Sequence, residues 1–175
     1  MRSRSNRCSS RAADGTGQRR VRLSTRALLA FLACPSVVAG VLPALIARGA
    51  HACRYWEASL APFAIGTACL VWCVRDFLVR GSGTLAPWDP PRRLVVGGLY
   101  RFVRNPMYLS VASVILGWSL YFGSWQLALY LAIVAVGFHL RVILYEEPVL
   151  SRQFPSDWDG YAKLVPRWIP RFRAK

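Results

Sequence analysis

Lysine is nearly missing from this chain of 175 residues: Lys163 and Lys175 are alone among 23 basic residues, and the rest are arginine. That bias suggests a GC-rich genome and so a bacterial source. Acidic residues are also scarce, eight in all, which leaves a net charge of +15. The five cysteines, Cys8, Cys34, Cys53, Cys69 and Cys73, are odd in number and have no histidine or carboxylate cluster near them. That excludes a local metal site, which needs further ligands at close spacing. Cys69 and Cys73 share a helix face and read as small packing hydrophobes. The turn at Gly123-Ser124 carries no basic residue at all, and this absence is used below to fix topology.

What the chain has in abundance is apolar sequence. Apolar residues make up 54% of it, and its mean hydropathy is positive. High charge and high apolarity together imply segregation, with cations flanking apolar spans. Nucleic-acid binding, the usual first reading of a basic chain, is therefore set aside. Residues 1–26 are Ser/Gly-rich with eight arginines. They read as a disordered basic arm able to touch anionic lipid.

Apolar runs near 27–47, 58–79, 107–122 and 125–145 predict about four transmembrane helices, an all-α multi-pass membrane protein. Pro35 and Pro43 predict kinks in the first. Gly123-Ser124 between the last two predicts an antiparallel hairpin. Residues 151–175 mix aromatic and basic side chains and read as an interfacial tail. Arginines and lysines along the chain number eight, two, six, none and seven in successive non-spanning stretches. The alternation places both termini and the central loop in the cytoplasm. It also brings Gly98 to Tyr108 and Tyr145 to Pro148 to one cytosolic mouth.

Polar residues at that mouth are the candidate site. Pro106 suits a first helical turn and Asn105 an N-cap. Tyr108 lies near the mouth, and Arg104 or Arg101 can pair with a carboxylate. His139 and Glu146, seven apart, share a face of a regular helix, and Arg141 pairs with Tyr145. His139, alone on its span, reads first as a packing residue and second as a ligand. Glu146 and Glu147 at a helix C-terminus oppose the macrodipole and need cationic partners. Arg75-Asp76, at the end of the second span, reads as two residues that pair or snorkel to the membrane interface.

Residues 98–170 resemble the isoprenylcysteine carboxyl methyltransferase and phospholipid methyltransferase families. The likeness rests on Gly98, Tyr100, Arg104, Pro106 and Tyr108, on Glu146-Glu147, Leu150 and Phe154, and on Tyr161, Val165, Pro166 and Ile169-Pro170. It implies S-adenosylmethionine as cofactor, in a cytosolic pocket formed by Gly98, Tyr100, Asn105, Pro106, Tyr108, His139, Glu146 and Glu147. It also implies a lipid or other lipophilic acceptor. The chemistry of methyl transfer, apart from the resemblance, makes Arg104 or Arg141 candidates to orient an anionic acceptor and Glu147 or Glu146 candidates for the base of an amine acceptor. The isoprenylcysteine enzymes usually have histidine where this chain has Asn105. Carboxylate O-methylation and phospholipid amine N-methylation both stay open. The alternatives are a sterol-reductase-like NADPH enzyme, which resembles this superfamily in its last helices, and a non-catalytic membrane adaptor.

Overall fold

A computed structural model describes residues 35–51, 56–80, 94 and 96–171, with side chains omitted at 77–80. The arm 1–26 and residues 27–34 of the first expected span lie outside the described residues, as do Cys8, Cys34 and Cys53. Among the described residues every regular element is helical, and none is a strand. The order is α1 (Val37–Ile46), α2 (Leu60–Arg80), α3 (Pro106–Phe122), α4 (Trp125–Arg141), α5 (Glu147–Gln153) and α6 (Pro155–Leu164). Short 3-10 turns at Trp56–Ser59 and Gly98–Arg101 lead into α2 and towards α3. Two helical stretches are long and apolar enough to cross a membrane, Trp56–Asp76 and Trp125–Gln153. α1 and α3 are apolar but shorter.

The surface agrees with a membrane setting. Leu129, Ile133, Val136, Leu140 and Leu144 recur at helical spacing along α4 and just beyond it, and Leu144 is 72% exposed. A stripe of this length facing water would be an aggregation site. The inner faces meet around Ala39 of α1 and Val111 and Ile115 of α3, joined by Leu70 of α2 and Phe138 of α4. α2 and α3 cross closely because small residues line the contact. A Cβ on Gly66 would stand 2.9 Å from the Ser110 carbonyl oxygen, and one on Gly117 would stand 2.8 Å from the Phe63 ring. Close backbone approach at small residues is the usual basis of helix association in lipid.

Gly123 and Ser124 do turn the chain. Gly123 takes the left-handed conformation (φ 59°), and the Ser124 hydroxyl accepts the Leu127 N–H at 3.4 Å. α4 then runs back along α3, so the start of one meets the end of the other. Tyr108 stacks on Phe138 with ring centroids 4.4 Å apart.

Two segments widen into π turns, Val37–Val41 and Val142–Glu146. Each ends two residues before a proline, Pro43 or Pro148. Proline has no N–H for the carbonyl four residues back and collides with it. A π turn relieves that crowding by shifting the pairing to five residues back. Leu42 N–H bonds to Val37 O, and Glu147 N–H bonds to Val142 O. In α1 the carbonyls left over are taken by side chains. Tyr130 OH donates to Val38 O at 2.8 Å, and Trp118 Nε1 donates to Ala39 O at 2.9 Å. The kink expected at Pro43 is thus a one-residue widening bolted to α3 and α4.

Candidate functional site

The site begins where α2 ends. Gly98 has φ +63°, and a Cβ there would lie 1.7 Å from Asp76 Oδ2. Only glycine suits both the left-handed backbone and that contact. Asp76 is 1% exposed. The boundary pairing expected of Arg75-Asp76 is therefore replaced by burial of Asp76 against the Gly98 turn, while Arg75 stays exposed. Helical rotation of about 100° between neighbours separates the two.

From Tyr100 to Asn105 the chain is laced to the segment from Tyr161 to Arg171. Tyr161 OH donates to Tyr100 O at 2.7 Å, and Arg171 N–H donates to Phe102 O at 3.2 Å. Burial pushes the Tyr161 phenol up from its ordinary pKa, so it stays a donor. Arg104 is the centre of this lacing. Its Nη2 donates to Ala162 O at 2.8 Å and its Nε to Val165 O at 2.7 Å, while its backbone N–H reaches Pro166 O at 2.9 Å. The first two are carbonyls at the C-terminal end of α6, which have no partner within that helix. The arginine therefore caps α6 from 58 to 61 residues away.

Its remaining arm, Nη1, reaches Glu147 Oε1 at 2.9 Å. Arg167 grips the same carboxylate as a fork, Nε to Oε1 and Nη2 to Oε2, both at 2.7 Å. The hydrogen bond to Glu147 raises the pKa of the Arg167 guanidinium. Three charge-assisted bonds on one carboxylate make a firm unit. It is also partly screened: 16% of the Arg104 side chain and 17% of the Glu147 side chain are exposed.

The neighbouring carboxylate faces a different set. Tyr108 OH and Arg141 Nε, the latter at 2.9 Å, both bond to Glu146 Oε1, and Arg141 Nε also lies 3.1 Å from Tyr108 OH. Arg141 is the open member, its side chain 45% exposed. Its guanidinium also stands 5.8 Å from the Tyr145 ring centroid. His139 Nδ1 accepts the Trp168 indole N–H at 3.0 Å.

The structure thus brings Arg104 and Glu147 together, and separately Tyr108, Arg141 and Glu146. Asn105 stands at the N-cap of α3 with Pro106 at the first turn, but no side-chain cap forms. Its amide instead donates to Arg167 O at 3.2 Å, because the tail backbone offers a carbonyl there. The shared face expected of His139 and Glu146 is lost at the π turn. His139 meets Trp168, and Glu146 meets Tyr108. The glutamates are also not at a helix end. Helical structure continues through the π turn into the helix Glu147–Gln153, so neither a C-terminal nor an N-terminal dipole end falls at Glu147. Arg101 lies over the Phe102 ring at 4.5 Å and not on a carboxylate.

Arg167 and Trp168 are the residues that sequence reasoning passed over. Their signal was a charged and an aromatic residue inside Pro166-Arg167-Trp168-Ile169-Pro170, a stretch stiffened by proline at both ends. Among the described residues, no group of three or more histidines, cysteines or acids stands ready for a metal.

Compared with known proteins, the sequence matches the phospholipid methyltransferase family over residues 56–157. No curated protein and no solved structure matches it.

Proposed function

We propose a function from the family to which this chain belongs, the phospholipid methyltransferases. Membership implies a membrane methyltransferase with a lipid substrate. The finer reading is that it takes the methyl group from S-adenosylmethionine, at a cytosolic mouth between α3 and α4, in a four-span protein with both termini in the cytoplasm.

The observation that carries this reading is the contrast between two adjacent carboxylates. Glu147 is spent on two arginines, whereas both bonds to Glu146 fall on Oε1. Glu146 Oε2 can then take a ligand hydroxyl or ammonium group. Arg141, bonded through Nε and with its side chain 45% exposed, can take a carboxylate or phosphate on its other nitrogens. This donor and acceptor set fits S-adenosylmethionine, which carries a ribose diol and an amino-acid zwitterion. Gly98, Tyr100, Asn105 and Pro106 supply the backbone wall, and His139 holds Trp168 beside it. Bound there, S-adenosylmethionine supplies an activated methyl group, displaced in line.

The chain's own contribution is alignment, worth up to about 7–11 kcal/mol in favourable systems. An acceptor carboxylate needs no base. An acceptor amine must lose a proton before it attacks. Glu147 and Arg104 fit a supporting role better, since their polar atoms are engaged by the fold.

The test is incubation of purified protein with methyl-labelled donor and a total lipid extract. Label appearing in lipid is the expected result. Stability to base would mark an amine and lability to base an ester. No label in any lipid would overturn the reading.

A further inference from the structure

We propose that Arg167 is a positioning residue for donor binding: acting through Glu147, it clasps the Pro166–Pro170 strap across the mouth and so sets Trp168 at His139. The inference rests on the function proposed above and assigns the gate of that same site.

The argument starts from charge. Arg104 alone matches the charge of Glu147 and already caps α6. A second arginine is not needed for neutrality, yet Arg167 commits both donors of one fork to that carboxylate. What the second arginine adds is geometry. A fork fixes direction as well as distance, so the backbone at Arg167 is held in place. The Asn105 amide holds the Arg167 carbonyl from the other side. Four residues on, Arg171 N–H is tied to Phe102 O.

Between these ties the strap can lie only one way. That path delivers the Trp168 indole to His139 Nδ1, two residues before Arg141 on α4. The strap thus spans from the ion pair at Glu147, next to Glu146, to His139 on α4. Opening it requires breaking the Arg167 fork.

The experiment compares Arg167→Ala, Arg167→Lys and the control Arg152→Ala in the full-length protein in lipid nanodiscs. Arg152 is exposed and outside the site. Three quantities are read: the dissociation constant of S-adenosylhomocysteine, the split between donor KM and kcat, and hydrogen exchange at the Arg171 amide. Arg167→Ala should raise the dissociation constant and donor KM about tenfold, the low end for groups that orient ligand-binding side chains. It should leave kcat within about threefold, because alignment of bound donor is untouched. Exchange at Arg171 should speed up. Lysine, which keeps the charge but cannot fork, should recover only part of each.

Unchanged binding and exchange in Arg167→Ala would overturn the proposal. A fall in kcat at constant KM would overturn it too, by making Arg167 part of the chemistry. Should the alanine variant fail to fold, Arg167→Lys and Arg167→Gln carry the same three readings. If the wild-type protein methylates no lipid, the proposed function fails, and exchange at Arg171 still decides whether the fork holds the strap.

Discussion

The two π turns share a backbone device and differ in use. In α1 the widened turn is wholly apolar, Val37 to Val41, and its freed carbonyls accept bonds from Trp118 and Tyr130. Beyond α4 the widened turn ends on Glu146, and Glu147 follows it. There the change of register re-aims side chains, sending Glu146 to Tyr108 and Glu147 to Arg104. One defect therefore bolts helices together, and the other builds a site. A proline two residues on marks both, but the neighbours decide what the defect does.

Substitutions can pull the two apart. The largest loss of stability is expected for Glu147→Ala, which strands two guanidiniums. About 3 kcal/mol is expected, the low end for breaking a buried pair because 34% of the Arg167 side chain is exposed. Denaturant unfolding in mixed micelles would measure it, and a loss below half that value would mean the clasp is loose in solution.

Next comes Trp118→Phe, which removes the donor to Ala39 O and leaves that carbonyl unsatisfied. A loss of about 2 kcal/mol is expected. Binding of S-adenosylhomocysteine should be unchanged, since the α1 turn is structural; weakened binding would show that the two turns are coupled.

Tyr130→Phe deletes only the hydroxyl on Val38 O, for a loss of about 1 kcal/mol. Thermal unfolding of the single and double variants would show whether the two bolts act independently.

Pro148→Ala restores an N–H that lets a regular helix run through. That helix rotates the glutamates off their partners, so its cost stays below the Glu147→Ala loss by about 1 kcal/mol, the worth of the backbone bond gained. Donor binding should fall steeply. Retained binding would sever the link between the second π turn and the site.

The residues differed in how openly they announced their places. Helical class and the Gly123-Ser124 turn follow from apolar runs and local turn chemistry, so they were legible. Pairing of Arg104 with a glutamate was legible from charge and topology. The π turns were not, because Pro43 and Pro148 signal only a break. What repairs the first comes from Trp118 and Tyr130, 79 and 92 residues away. Arg167 was hidden for a similar reason: it lies outside any helix, so no periodicity links it to Glu147. Asp76 looked like a boundary charge because nothing local reveals that Gly98 will cover it.

Arg104 also sets a timetable. Three of its bonds reach residues 162–166, near the far end of the described chain. Chains emerge from the ribosome N-terminus first. The apolar helices can therefore enter the bilayer before their mouth has a wall. Until that last stretch is made, α6 lacks its cap and Glu147 has only one of its two arginines. A nascent chain stopped short of it would pass for a finished membrane protein and carry an unfinished site.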